Sequence, residues 1–102
     1  MAHAYRITVE RLQPDAANDA PASSLTFEAT NHDEVLGLVE RVRASGILPE
    51  GESAAFLVGL KLFGEVMLKH RAEPLFAPIV PHFAAFMKRL KADVSAAAQA
   101  RG

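Results

Sequence analysis

Two short stretches near the start of the chain alternate apolar and polar residues. In the first, Tyr5, Ile7 and Val9 are separated by polar side chains, and in the second Leu25 and Phe27 are spaced in the same way. A period of two places the apolar side chains on one face of a β-strand. Residues 13–24, between the two stretches, are rich in proline, aspartate, asparagine and serine, which favour turns. The pattern therefore predicts an antiparallel hairpin with a mobile loop.

The apolar period changes to that of a helix after residue 30. Four aliphatic residues recur at helical spacing and form one stripe, namely Val35, Leu38, Val39 and Val42. Asn31 followed three residues later by Glu34 is typical of a capping box, which satisfies the free amides of a first helical turn. Gly46 supplies a left-handed stop. A first helix is therefore predicted from about Asn31 to Ser45.

The second helix is predicted from about Glu52 to Arg71 and is apolar on nearly every face. Lys61, Glu65 and Lys69 recur at spacings of four, so they are expected to form one exposed charged ridge. Gly59 and Gly64 each cost about 1 kcal/mol relative to alanine inside a helix. Both glycines are therefore interpreted as points where another element approaches closely.

Three prolines, Pro74, Pro78 and Pro81, break the chain into a corner and open a third helix, because proline is tolerated in a first helical turn. This helix is amphipathic as far as Leu90. The last residues, 93–102, contain alanines and polar groups with little to bury, so a frayed or disordered tail is predicted.

These elements predict an α+β fold in which an N-terminal antiparallel β-hairpin is followed by three helices, in the order ββααα. A chain of 102 residues is the usual size of one domain. Residues 1–92 are therefore assigned to a single domain, with the tail outside it.

Composition removes several classes of function. The chain has no cysteine, which excludes disulfides, thiol nucleophiles and thiolate metal sites. Its formal net charge is −1, which disfavours a dedicated nucleic-acid binder because phosphates attract basic proteins. The charge is nevertheless uneven: residues 1–52 carry four Lys/Arg and nine Asp/Glu, and residues 53–102 carry seven and three. The two halves are interpreted either as self-complementary surfaces or as a basic face for an anionic partner.

The four histidines do not predict a metal site, because no two of them lie four residues apart on one helical face. Neither a metal nor another cofactor is expected. Adjacent acidic residues and isolated serines also form no recognisable catalytic set. His70 has two interpretations that the sequence leaves open: a capping residue at a helix end, or a general base or ligand donor facing a pocket.

A small group of side chains is the candidate ligand or interface site. It comprises Asn31, His32, Arg43, His70 and Arg71, which the predicted elements place at the ends or on the flanks of the first two helices. A carboxylate ligand could bridge His32 and Arg43. A structural ion pair with Glu28 or Glu40 explains the same residues equally well.

Several segments together resemble a known protein family. They are YRITVE from Tyr5, NHDEV from Asn31, GLKLFGEVMLKHR from Gly59, PLF from Pro74 and FMKRLK from Phe86. With them the chain is similar, from about Ala4 to Lys91, to a family of small bacterial domains of unknown function. The resemblance implies a compact bacterial α+β protein, and the family has no assigned activity to transfer.

The sequence favours a non-enzymatic interaction module that self-associates, most simply as a homodimer, because a lone hairpin has unpaired edges. The alternative is a small-ligand-binding or catalytic domain with a cleft near the ends of helices one and two. A third hypothesis is binding of an anionic polymer through Lys88, Arg89 and Lys91. An unidentified protein partner fits the first hypothesis as well. The N-terminal pattern predicts a cytoplasmic protein without a membrane partner.

Overall fold

The computed structural model describes residues 2–12 and 23–101, and most of the predicted hairpin loop lies outside them. Two strands come first, β1 (His3–Glu10) and β2 (Ser24–Asn31). Three α-helices follow, namely α1 (Val35–Ser45), α2 (Ser53–Lys69) and α3 (Val80–Arg101). Short 3₁₀ helices, Glu50–Glu52 and Ala77–Ile79, precede α2 and α3. The predicted ββααα order is confirmed.

The chain separates into two compact units, residues 1–32 and residues 33–102. The first unit is an antiparallel hairpin in which Ile7 pairs with Phe27 and Val9 pairs with Leu25. These pairs lie on one face, because paired residues in a ladder point to the same side. On the other face, Thr8 and Thr26 bring their hydroxyl oxygens within 3.1 Å. The hairpin therefore has one apolar and one polar face. The assignment of residues 1–92 to a single domain stays a prediction.

The start of α1 differs from the prediction. Asn31 pairs with His3 at the end of the β-ladder, so its backbone is extended and the helix begins only at Val35. Glu34 is the capping residue, and its carboxylate accepts hydrogen bonds from the amides of Leu36 at 2.9 Å and Gly37 at 3.1 Å. The predicted cap at Asn31 is therefore wrong, and one carboxylate supplies the acceptors for two first-turn amides. The end of the helix is as predicted, because Gly46 adopts a left-handed conformation with φ of 72°.

The C-terminal end of α3 extends beyond its amphipathic part. Residues 93–101, for which the sequence predicts a frayed or disordered tail, lie in this helix, which continues to Arg101, and fraying of the segment stays a prediction. The guanidinium of Arg89 donates to the carboxylate of Asp93 at 2.9 Å, one turn later. Val94 and Ala97 are half-buried on the same helix. These contacts support a helical path through a segment that has high intrinsic helix propensity.

The core of the helical unit lies between the apolar stripe of α1 and the inward face of α2. Its buried apolar members are Val35, Val39, Val42, Leu57 and Met67. The aromatic rings of α2 and α3 extend this core: the centroids of Phe63 and Phe83 lie 6.0 Å apart, and those of Phe56 and Phe86 lie 6.2 Å apart. Edge-on and tilted ring contacts of this kind stabilise packing beyond the area that they bury.

Gly64 and Gly59 prove to have different surroundings. A Cβ at Gly64 would lie 2.8 Å from Cζ of Phe83, which is closer than real Cβ atoms approach. A Cβ at Gly59 would meet no atom of the described residues within 4 Å. The predicted close approach is therefore present at Gly64, where the ring of an α3 residue occupies the space. At Gly59 the prediction is wrong.

We expect Gly64→Ala to lower the free energy of unfolding by roughly 1–3 kcal/mol, because the added methyl displaces the ring of Phe83. Gly59→Ala is the matched control on the same helix. It should raise the free energy of unfolding by about 0.5–1 kcal/mol, since alanine loses less backbone entropy. Chemical denaturation of both variants measures the difference, and a similar gain in both would contradict the packing described at Gly64.

Two serines in the helical unit differ in hydrogen bonding. Ser53 is fully buried at the start of α2, and its hydroxyl has no hydrogen-bond partner within the part of the chain that the structure describes. The hydroxyl of Ser45 donates to the carbonyl of Val42 at 2.6 Å and accepts from the amide of Ile47 at 3.3 Å. A buried hydroxyl without a partner costs free energy, whereas a bonded one stabilises the fold.

Ser53→Ala should therefore raise the free energy of unfolding by about 1 kcal/mol, because it removes an unsatisfied buried group. Ser45→Ala should lower it by about 1 kcal/mol through the loss of two hydrogen bonds. Thermal and urea melts of Ser53→Ala and Ser45→Ala test whether the two substitutions change the free energy of unfolding in opposite directions. Destabilisation by both substitutions would show that Ser53 has a partner, such as an ordered water.

Candidate functional site

The apolar face of the hairpin is the first candidate surface. Val9 is 59% exposed, its cross-strand neighbour Leu25 is 61% exposed, and Phe27 is 38% exposed. Large apolar side chains grouped on one face are more informative than single ones, because contiguous apolar surface marks interaction sites. On the polar face, by contrast, Arg6 and Glu28 form an exposed ion pair at 3.4 Å.

The predicted ligand or interface residues fall in both units. Asn31 and His32 belong to the hairpin unit, where Asn31 is buried and His32 is exposed. Arg43, His70 and Arg71 belong to the helical unit. The grouping of all five residues into one site stays a prediction.

His70 occupies the C-cap position of α2. Its backbone amide donates to the carbonyls of Val66 at 3.2 Å and Met67 at 3.1 Å. The imidazole is exposed and stacks on Phe76, with ring centroids 6.4 Å apart and an angle of 29° between the planes. The backbone rather than the imidazole makes these bonds, so the capping and ligand-donor interpretations of the His70 side chain both stay predictions. Arg71, the next residue, is exposed.

Arg43 makes a local ion pair. One guanidinium nitrogen contacts the carboxylate of Glu40, three residues earlier on α1. Arg43 is half-buried, and Glu40 is exposed. The sequence left two interpretations of Arg43 open, contact with a carboxylate ligand or a structural ion pair with Glu28 or Glu40. The structure contains the ion pair with Glu40.

The predicted charged ridge on α2 is not uniformly exposed. The side chain of Lys61 is only 14% exposed, and its ammonium lies 2.6 Å from a carboxylate oxygen of Asp33. Glu65 is half-buried, and Lys69 is exposed. The prediction that Lys61 lies on a solvated ridge is therefore wrong. Its ion pair instead connects α2 to the segment just before α1.

A cleft of about 350 Å³ lies within the helical unit, between α1, α2 and α3. Its apolar lining consists of Leu38, Val42, Leu57, Met87, Leu90 and Val94. Its polar lining consists of Asp33, Arg41, Lys61, Lys91 and Ser95. The sequence did not identify Arg41 as a site residue, and it placed Lys91 in a basic surface with Lys88 and Arg89. The only sequence signal for this arrangement was that one basic residue flanks the apolar stripe of each helix, namely Arg41, Lys61 and Lys91.

All four histidines lie among the residues that the structure describes. In residues 2–12 and 23–101, no three His, Asp or Glu side chains lie close enough together to hold a metal ion. His3, His32, His70 and His82 are all exposed. The expectation of a metal-free, cofactor-free protein stays a prediction.

The element order and the two-stranded sheet define a small α+β domain of the ββααα class. Residues 3–92 match the family described as a domain of unknown function with a solved structure, DUF3861. The chain therefore belongs to that family, and the resemblance to a family of unknown function is confirmed. No protein with a curated description matches the chain.

A crystal structure of a protein of unknown function from Pectobacterium atrosepticum is similar to this chain. The two share 40% sequence identity over 89% of this chain and 98% of the other, with a TM-score of 0.74. At this identity the likeness covers both sequence and fold. None of the helices in the described part of this chain combines the length and apolar character needed to cross a bilayer.

The ion pair between Asp33 and Lys61 generates a stability prediction. Asp33→Asn should lower the free energy of unfolding by roughly 1–2 kcal/mol, because it replaces the carboxylate that pairs with Lys61, a side chain that is only 14% exposed, by a neutral amide. Asp93→Asn is the matched control, since it removes the partner of Arg89, whose side chain is 79% exposed, and should change stability by less than about 0.5 kcal/mol. Urea denaturation measures both, and equal losses would contradict a special role for the Lys61 pair.

Proposed function

We propose that this member of the DUF3861 family is a non-enzymatic interaction module that self-associates through its hairpin, most simply as a homodimer. The observation that supports the proposal is the exposed apolar face formed by Val9, Leu25 and Phe27. The cytoplasmic location expected from the sequence is part of the same proposal.

The hairpin has a physical reason to acquire a partner. Within the described residues the sheet consists of β1 and β2 alone, so each strand has one edge that the other strand does not cover. A two-stranded sheet is marginally stable by itself, and uncovered strand edges are templates for further pairing. Packing against more apolar surface, or pairing with another strand, would stabilise it.

A second copy of the chain is the simplest partner that satisfies both requirements. Two hairpins related by a twofold axis can pair edge to edge or pack apolar face to apolar face, because such an interface needs only one self-complementary surface. Charge should contribute less to the free energy of association than apolar burial does, since buried apolar anchors rather than rim charges dominate most stable interfaces. Association is therefore expected to depend weakly on salt.

The proposal predicts a dimer whose affinity depends on one face of the hairpin. Light scattering coupled to size-exclusion chromatography, over a protein dilution series at low and high salt, should give a dimer mass for the wild type. Leu25→Lys should weaken the dimer roughly tenfold or more, because it places a charge among the apolar anchors. Circular dichroism and one-dimensional NMR establish that each variant is folded.

Thr26→Lys is the matched control, since it adds the same charge to the next residue of β2 on the opposite face of the hairpin. The dimer should survive this change. A monomer mass for the wild type at tens of micromolar in both buffers would refute self-association. Equal weakening by both substitutions would refute the assignment of the interface to the apolar face.

A further inference from the structure

The cleft in the helical unit has the size and lining of a small-molecule site. Its volume of about 350 Å³ falls within the range of about 300–1,000 Å³ that is typical of ligand pockets. Such pockets combine a mostly apolar lining with a few polar groups that orient the ligand. All of the lining residues belong to residues 33–102, so none of them is among the hairpin residues on which the proposed dimer rests.

One wall of the cleft belongs to the core. Val42 is 3% exposed and Leu57 is 2% exposed, so these side chains are held by packing on their other sides. Met87, Leu90 and Val94 line the cleft from α3 and are half-buried. An apolar ligand body placed here would remove apolar surface of α3 from water without displacing the core.

The charged lining is predominantly positive. Arg41, Lys61 and Lys91 contribute three cations, one from each helix, and Asp33 contributes one carboxylate, which leaves a formal excess of two positive charges. The carboxylate of Asp33 is held by Lys61 at 2.6 Å. Arg41 and Lys91 are exposed and make no ion pair with any residue that the structure describes.

A second, smaller cleft has an apolar wall but differs in its charge pattern. It has a volume of about 260 Å³ and is lined by Phe56, Phe86 and Arg89, among others. The guanidinium of Arg89 already donates to Asp93 at 2.9 Å. The smaller cleft therefore combines an apolar wall with a neutralised cation, whereas the larger cleft has two uncommitted cations beside its apolar wall.

We propose that the larger cleft binds a small amphipathic anion, a carboxylate with an aliphatic body. Its head would contact Arg41 and Lys91, and its body would lie along Leu38, Met87 and Leu90. Charge-assisted hydrogen bonds from guanidinium and ammonium groups favour a carboxylate. The excess of positive charge disfavours a cationic amphiphile of the same length.

The three methionines of the chain give a direct assay. Met87 lines the cleft, whereas Met67 is fully buried and does not line it, and Met1 lies at the N-terminus. In full-length protein with ¹³C-labelled methionine methyl groups, decanoate added below its micellar concentration should shift the Met87 signal saturably and leave Met67 nearly unchanged. Decyltrimethylammonium, which has an apolar chain of the same length, should cause no saturable shift at matched concentrations.

Matched variants test the two cations. The double variant Arg41→Gln/Lys91→Gln should weaken decanoate binding roughly tenfold. The control Lys69→Gln/Lys88→Gln removes the same charge from exposed residues that do not line the cleft, and its affinity should stay within about twofold of the wild type. The decyltrimethylammonium comparison on the wild type tests the proposal even if a double variant fails to fold.

Several outcomes would overturn the proposal. They are the absence of a saturable Met87 shift with decanoate, equal binding of the cationic amphiphile, equal weakening by the two double variants, and a shift that arises only as the protein unfolds. Because none of the cleft-lining residues belongs to the hairpin unit, we expect decanoate to shift the Met87 signal in the Leu25→Lys variant as well.

Discussion

The contact between Gly64 and the ring of Phe83 is the constraint on which the helical unit depends. Because glycine has no side chain, the ring can approach α2 to within 2.8 Å of the place where a Cβ would be. Phe83 also contacts Phe63, at 6.0 Å between ring centroids, so the first turn of α3 is held against α2 at two neighbouring points. A larger residue at position 64 would have to displace this ring.

The cleft follows from that contact through the period of the helix. Met87, Leu90 and Val94 lie four, seven and eleven residues after Phe83, so they share a face of α3 with the anchoring ring. Because the ring packs on α2, this face of α3 is directed toward α1 and α2, and the cleft lies between the three helices. Lys61 lies one turn before Gly64 and closes part of the same space through its ion pair with Asp33.

The two units suggest different kinds of interaction. The hairpin presents apolar side chains on a surface and backbone groups at its strand edges, which are features that recognise another polypeptide. The helical unit presents a concave apolar lining with cations at its edge, which is a feature that recognises a small anion. Membership of DUF3861 defines the family and assigns neither interaction. The two proposals therefore rest on separate residues and are tested by separate measurements.

Local patterns in the sequence were sufficient for the elements and their order. The alternation through Ile7 and Val9 predicted a strand, and Gly46 predicted the end of α1, because both depend on interactions within a few residues. The tertiary structure decided features that depend on distant partners. Asn31 belongs to β2 because it pairs with His3. The ring of Phe83 lies beside Gly64 and not beside Gly59. The side chain of Lys61 is mostly buried and forms an ion pair with Asp33. Arg41, Lys61 and Lys91 likewise meet only because three helices converge. A sequence pattern records which face of an element is apolar, whereas the partner of that face depends on how the elements pack.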